Sequence, residues 1–297
     1  MDRLDLASDP KGGLEKEFAG LDSLQSEGGP PSPGKLRRSW SKLWPPLAAV
    51  AVALIAWEAV VLTGWKPEYA LPAPLTVFRE LGDMFAGGEI FGSAGATLRR
   101  AALGYSFSLL VGGAIGLAVS QSKVLRAAVG SLITGLQTMP SIAWFPLAVL
   151  LFQLSEGAIF FVVVLGAAPS VANGLITGID HVPPVLLRAG KVLGARGLAA
   201  YRYVIIPAAL PSFVGGLKQA WAFSWRSLMA AELLANIGFP RPLGVQLQYA
   251  RDFSDAPAVI ATMIIILVIG IVIDSLVFGT LTKSIRRRYG LIDAATT

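Results

Sequence analysis

The 297-residue sequence predicts an all-α integral membrane protein with six spanning helices. Three observations carry that prediction. Hydrophobic residues make up 54% and charged residues only 15%, with a mean hydropathy of +0.62; an ordinary soluble domain is about one quarter charged. The apolar residues come in runs close to the roughly 20 residues that cross a bilayer as a helix, not in the short alternating segments of a β-barrel. Finally, the basic residues gather between the runs. That placement explains the net charge of +6 as membrane topology, with no nucleic-acid partner. With no cysteine and one histidine, His181, the chain offers no disulfide framework, thiolate nucleophile or Cys/His metal site.

Residues 1–43 are predicted to be a disordered cytoplasmic arm. They contain GGPPSPG at 28–34 and mixed charges, and too few apolar residues to build a core. The arm ends on Lys35, Arg37, Arg38 and Lys42, just before the first apolar run. A transmembrane domain is expected over 44–282 and a cytoplasmic tail over 283–297. The six helices are read at about 45–64, 98–119, 124–152 (broken in its middle), 157–178, 208–235 and 256–281. With the N-terminus inside, the segments 1–43, 120–126, 179–207 and 281–297 hold seventeen Lys and Arg, against four in the opposite loops. The bias toward the cytosol sets both termini inside. Arg99 and Arg100, at the outer end of the second helix, run against it.

The third run contains MPSIAWFP, with Pro140 and Pro146 inside an apolar block. Proline lacks an N–H and clashes with the preceding turn, so this helix must kink or unwind. Irregular backbone at membrane depth is tolerated only where protein buries it or water reaches it. Met139, Pro140, Ser141 and Trp144 are therefore candidates for a pathway or gate, with a packing kink as the other reading. The fourth run carries Gly166, Ser170, Gly174 and Gly178 at four-residue spacing, and the second carries Gly112 and Gly116. Such rows let helices approach closely.

The fifth run holds Lys218, Gln219, Arg226 and Glu232, residues that membranes disfavour unless they face a bundle interior or water. At 100° per residue Lys218, Ala222, Trp225, Met229 and Glu232 share a stripe, with Arg226 to one side. Trp225, Arg226, Met229 and Glu232 join the pathway candidates. Arg226 either lends positive potential to the passage of an anion or makes a structural pair with a carboxylate or a helix end. Glu58 and Asp274 read first as buried partners within the bundle.

The loop 179–207 is long and basic, with Arg188, Lys191, Arg196 and Arg202. Pro183–Pro184 can open a short helix, Gly194 can break it, and Pro207 and Pro211 bracket the start of the fifth helix. Such an element either docks a soluble partner or lies on lipid headgroups. Its sequence, RAGKVLGARGLAAYRYVIIPAALP at 188–211, resembles the EAA loop of ABC-importer permeases. In that motif a triplet is followed after three residues by glycine, then nine residues, then I-x-L-P. The corresponding residues are Arg188, Ala189 and Gly190, then Gly194, then Val204, Ile206 and Pro207. The triplet differs from the motif in its first and third members. LPAPLTV at 71–77, LQTMPSIAWFPLAVLLF at 136–152 and SWRSLMAAELL at 224–234 are similar to the nitrate/sulfonate/taurine branch of that family, and the likeness spans about residues 70–290.

The resemblance implies the type I importer permease fold and a non-enzymatic, pathway-forming subunit in the cytoplasmic membrane. It implies a second copy of the chain, two ATPase subunits docked on the loop, and an extracytoplasmic solute-binding protein. ATP and Mg belong to the ATPase, in keeping with the lack of a G-x-x-x-x-G-K-[ST] run here; no cofactor or metal is expected in this chain. The solute class implied is a small anion or zwitterion: an aliphatic sulfonate or taurine, with nitrate or bicarbonate as alternatives. An ion-coupled secondary transporter is the rival class, with Glu232 or Asp274 carrying protons.

Overall fold

The computed structural model describes residues 35–289, with side chains from residue 44 onward. The expectations for residues 1–34 and for the tail beyond 289 lie outside the described residues. The chain divides into two units, Met1–Thr63 and Gly64–Thr297. In the first unit, α1 (Lys35–Leu62) contains the apolar run Trp44–Leu62 and tolerates Pro45 and Pro46 inside it.

The second unit begins with a short helix, α2 (Pro74–Ala86), opened by proline in its first turn. The spanning helices follow: α3 (Glu89–Gln121), α4 (Lys123–Thr138), α5 (Phe145–Phe152) and α6 (Glu156–Asp180). Next come α7 (Pro184–Val192), α8 (Leu198–Ala235), α9 (Leu243–Asp252) and α10 (Ala256–Arg288). Among the described residues five helices are long and apolar enough to span; α4 and the Ser141–Phe152 segment, bent by 104° to each other, make a sixth span if taken together. The expectation of six runs with a broken third therefore matches the fold.

Three features depart from the sequence reading. Residues 35–43, expected to belong to the disordered arm, are the first turns of α1. Helix α3 starts at Glu89, well before 98, so Arg99 and Arg100 lie inside a helix, and Arg100 is buried. It is therefore an internal ion partner, which removes its conflict with the basic-residue bias. Helices α2 and α9 were read as loop because each is too short to form a spanning run.

Lipid tails are as apolar as leucine, so helix association in a membrane depends on close packing. Helix α6 is the centre of that packing, between α3 and α8. Its Ile159, Val162 and Val163 are fully buried with Leu228, Trp221 and Trp225 of α8. The glycine rows make the crossings possible. A Cβ on Gly112 would lie 2.3 Å from the Ala168 carbonyl oxygen, and one on Gly116 2.9 Å from Ala172 Cα. At the α6–α8 crossing a Cβ on Gly174 would lie 2.6 Å from Gly216 Cα. The Tyr105 hydroxyl donates to the Leu217 carbonyl at 2.9 Å, and its ring meets Trp221 edge-on at 5.4 Å.

Candidate functional site

Three arrangements in the second unit carry the polar chemistry. The first is the elbow between α6 and α8. Helix α7 opens with Pro184 in its first turn, as proline's fixed φ allows, and ends before Gly194. Gly194 has φ +82° and Gly197 φ +53°, left-handed values that cost an L side chain roughly 1–2 kcal/mol. The chain folds back there, so that Gly190 lies on Val204 of α8. A Cβ on Gly190 would sit 2.8 Å from Val204 Cγ2, which accounts for glycine at the third triplet position. Arg188 and Ala189 are exposed. Val192, Leu193 and Leu198 are 88%, 86% and 85% exposed; three nearly bare apolar side chains on one elbow mark a contact surface. Pro207 sits half-buried at the start of the regular part of α8, after the π-helical turn Tyr201–Ile205.

The second is a cleft of about 290 Å³ where the α4–α5 break meets α6 and α8. Helix α4 ends at Thr138, Met139 and Pro140 are extended, and Ser141–Trp144 make a single 3₁₀ turn. The lining includes Gln137, Met139, Pro140, Ser141, Gly166, Phe223 and Arg226. The structure thus brings Arg226 together with the consecutive residues Met139, Pro140 and Ser141, from which it is distant in sequence. Arg226 is exposed. Its Nε donates to the Ala222 carbonyl at 3.0 Å and its guanidinium lies 4.8 Å from the Phe223 ring centre. Among the described residues no carboxylate pairs with it. Nine residues separate it from Ala235, about 14 Å along the helix, or half the depth of a hydrocarbon core of about 30 Å.

The other pathway candidates lie elsewhere. Trp144 is half-buried against the central core, as is Met229, and Trp225 is buried there. Trp225 and Arg226 also line a second depression running along α10 past Gly270 to Asp274. Asp274 pairs with Lys218 at 2.9 Å, as the pairing reading expects, although both side chains stay partly exposed.

Glu232, which the stripe set with the passage, has different neighbours. It is fully buried in the third arrangement, an ionic knot joining α3, α6, α8 and α9. It accepts from Thr97 Oγ1 at 3.0 Å, from the Gly244 amide at 3.1 Å and from Arg100 Nη1 at 3.3 Å. Arg100 also pairs with the half-exposed Glu156 and donates to the Ile237 carbonyl at 3.1 Å. Thr97 Oγ1 in turn accepts the Leu243 amide at 2.9 Å, so the start of α9 is tied to α3. Arg100, Thr97 and Glu156 were absent from the sequence candidates. The hint was Arg100 itself, a cation that breaks the topology bias at a helix end. Gln137, also missed, is polar and lies in the last turn of α4, two residues before Met139.

Comparison with known proteins adds four likenesses. The family profile described as "Binding-protein-dependent transport system inner membrane component" matches residues 108–280. A Bacillus subtilis (strain 168) protein named for aliphatic sulfonate transport, SsuC, is 30% identical over 89% of this chain and 94% of its own length. The taurine transport system permease protein TauC of Escherichia coli (strain K12) is 28% identical over 77% of this chain and 84% of its own. Among solved structures, a chain of an amino acid ABC transporter aligns with TM-score 0.54 at 23% identity, covering 70% of this chain and 97% of that one.

Proposed function

The chain belongs to the binding-protein-dependent transport system inner membrane component family, and we propose that, as its ABC-importer permease subunit, it passes a small anion through the cleft at Arg226. The observation that carries the anion reading is a guanidinium at mid-span, beside a broken helix, that no carboxylate pairs with among the described residues. A lone cation at that depth is costly unless it faces water or a counter-charge. A passage for anions supplies both, and an intermittent anion replaces the missing carboxylate. The names of relatives agree for aliphatic sulfonate and, for others at 27–28% identity, nitrate and bicarbonate; taurine, named for another relative, is a zwitterion that shares only the sulfonate head.

The elbow is the proposed seat of coupling. Its bare Val192, Leu193 and Leu198, with exposed Arg188, suit a groove on a soluble ATPase, and the short link to α8 makes the elbow a lever on the helix that carries Arg226. In this reading two copies of the chain form the pathway with both termini in the cytosol. Two ATPase subunits hold ATP and Mg and perform the hydrolysis. An extracytoplasmic binding protein delivers the solute.

Uptake into proteoliposomes tests the reading. Labelled solute should accumulate only when this chain, the ATPase subunits, external loaded binding protein and internal ATP are all present. R226Q should cut uptake by at least tenfold while the complex stays assembled. Unaltered anion uptake in R226Q would overturn the role given to Arg226, and accumulation by the chain alone on an ion gradient would overturn the importer mechanism.

A further inference from the structure

The cleft holds polar atoms that the packing does not use. Among the described residues Gln137 Nε2, in the lining, is buried without a hydrogen-bond partner, as is Ser227 Oγ, which sits outside the lining beside Gly166; such atoms are few in folded proteins and call for an explanation. Gly166 sets the spacing: a Cβ there would lie 2.2 Å from Ser227 Oγ and 3.1 Å from Ser141 Cβ, so glycine lets α6 approach both serines, of which Ser141 lines the cleft. Arg226 uses Nε within its own helix, and among the described residues neither Nη has a hydrogen-bond partner. The charged member of the lining is a cation, and the lining contains no carboxylate. The nearby acids of the described spanning helices are engaged: Glu156 and Glu232 by Arg100, Asp274 by Lys218, Asp180 by Arg126.

We propose that Gln137 and Arg226 together hold the oxyanion head of the solute, and that the cleft selects an oxyanion without an attached ammonium group over a zwitterion. This rests on the reading of the cleft as part of the passage. Two guanidinium N–H groups in one plane match two oxygens of a sulfonate, nitrate or bicarbonate, and the Gln137 amide supplies a further donor to the same head. A taurine molecule seated the same way brings its ammonium into a small cleft beside a guanidinium. That repulsion has no carboxylate to offset it, and it is stronger away from bulk water. Gln137 is thus a specificity-determining residue, and the solute class narrows to alkanesulfonate, nitrate or bicarbonate.

The test uses the complex of the full chain with its ATPase partner in nanodiscs, unfolded thermally with tryptophan emission as the signal. Sodium ethanesulfonate, sodium nitrate, taurine and sodium chloride are compared at equal concentration and ionic strength. Ethanesulfonate or nitrate should raise the midpoint above the chloride control, by about 5 °C or more at roughly 100 times its Kd, and taurine should not. Q137L should weaken the oxyanion at least about tenfold, as expected for a lost hydrogen bond to a charged group. Q137E, which supplies the missing carboxylate, should reverse the order in favour of taurine. R226K should keep a weakened oxyanion response and shows that loss in R226Q is not misfolding. An equal shift by taurine and ethanesulfonate in the wild type, or an unchanged order in both Q137L and Q137E, overturns the proposal. If R226Q still abolishes anion uptake in those circumstances, the passage reading survives and only the Gln137 assignment falls.

Discussion

Replacing Glu232 by alanine should be among the most damaging single changes in this chain. The carboxylate is fully buried and accepts three hydrogen bonds, from Thr97, Gly244 and Arg100. Its removal leaves the Gly244 amide without its acceptor and leaves Arg100, itself 3% exposed, with Glu156 at the rim as its remaining acid. Breaking a buried ion pair from one side costs about 3–5 kcal/mol, because the surviving charge stays buried. At roughly 2–4 °C per kcal/mol for a unit of this size, a loss of about 4 kcal/mol lowers the unfolding midpoint by roughly 8–16 °C. Glu156→Gln is the internal control. That carboxylate is 45% exposed, so water and the glutamine amide oxygen replace part of its contribution to Arg100, and its loss should cost about 1–3 kcal/mol. The assay is thermal unfolding of the detergent-purified chain followed by size-exclusion chromatography. The double variant Arg100→Met/Glu232→Leu removes both charges and should recover part of the loss. Equal midpoints for Glu232→Ala and Glu156→Gln, or a double variant worse than the sum of its parts, would refute the knot as a source of stability.

Four further outcomes follow from the same geometry. Gly112→Ala forces a methyl to within 2.3 Å of the Ala168 carbonyl, so α3 and α6 must separate; a destabilisation of about 1–3 kcal/mol is expected, and Gly113→Ala, which meets nothing within 4 Å, should be neutral in the same melt. Gly194→Val strains a left-handed position at a cost of roughly 1–2 kcal/mol; the unfolding midpoint should fall by about 2–8 °C, and binding-protein-stimulated ATP hydrolysis should fall severalfold at a temperature well below that midpoint. Asp180→Asn removes an exposed pair with Arg126 at 2.8 Å and should shift stability by less than about 1 kcal/mol. In α2, outside the spanning segments, burial and then the nearby Asp255 and Asp83 raise the Glu80 carboxyl above its ordinary range. The folded state therefore holds that proton more tightly than the unfolded chain. The associated stability is present below the ordinary glutamate pKa and is lost as pH rises through the raised value; in Glu80→Gln the melt should show less of that decline between weakly acidic and neutral pH.

The span count, the broken third helix and the elbow were legible because each has a local cause. Apolar runs set the spans, Pro140 and Pro146 force the break, and Pro184 and Gly194 bound α7. The glycine rows were legible as packing surfaces because only small residues permit backbone contact, and the structure supplies their partners, such as Gly216 for Gly174. The ionic knot was not legible. It joins Thr97, Arg100, Glu156, Glu232 and Gly244 from four helices, and no local pattern links residues more than 130 positions apart. The stripe that set Glu232 with the passage follows helical periodicity alone, and periodicity cannot tell a water-filled side from a buried ion partner. Arg226 was legible as a residue out of place in a membrane, while Gln137 gained meaning only when the break in α4 brought it to the same cleft.

The lever reading of the elbow requires the 184–197 segment to lie in the cytosol against the ATPase. The chain has no native cysteine, so a single cysteine at the exposed Leu193 reports its own side of the membrane without background. The most direct measurement is labelling of Leu193→Cys by a membrane-impermeant maleimide, in intact cells and in inside-out vesicles. Labelling only in the vesicles, and its suppression when the ATPase subunit is bound, is the expected result; labelling in intact cells would place the elbow outside and contradict the coupling scheme.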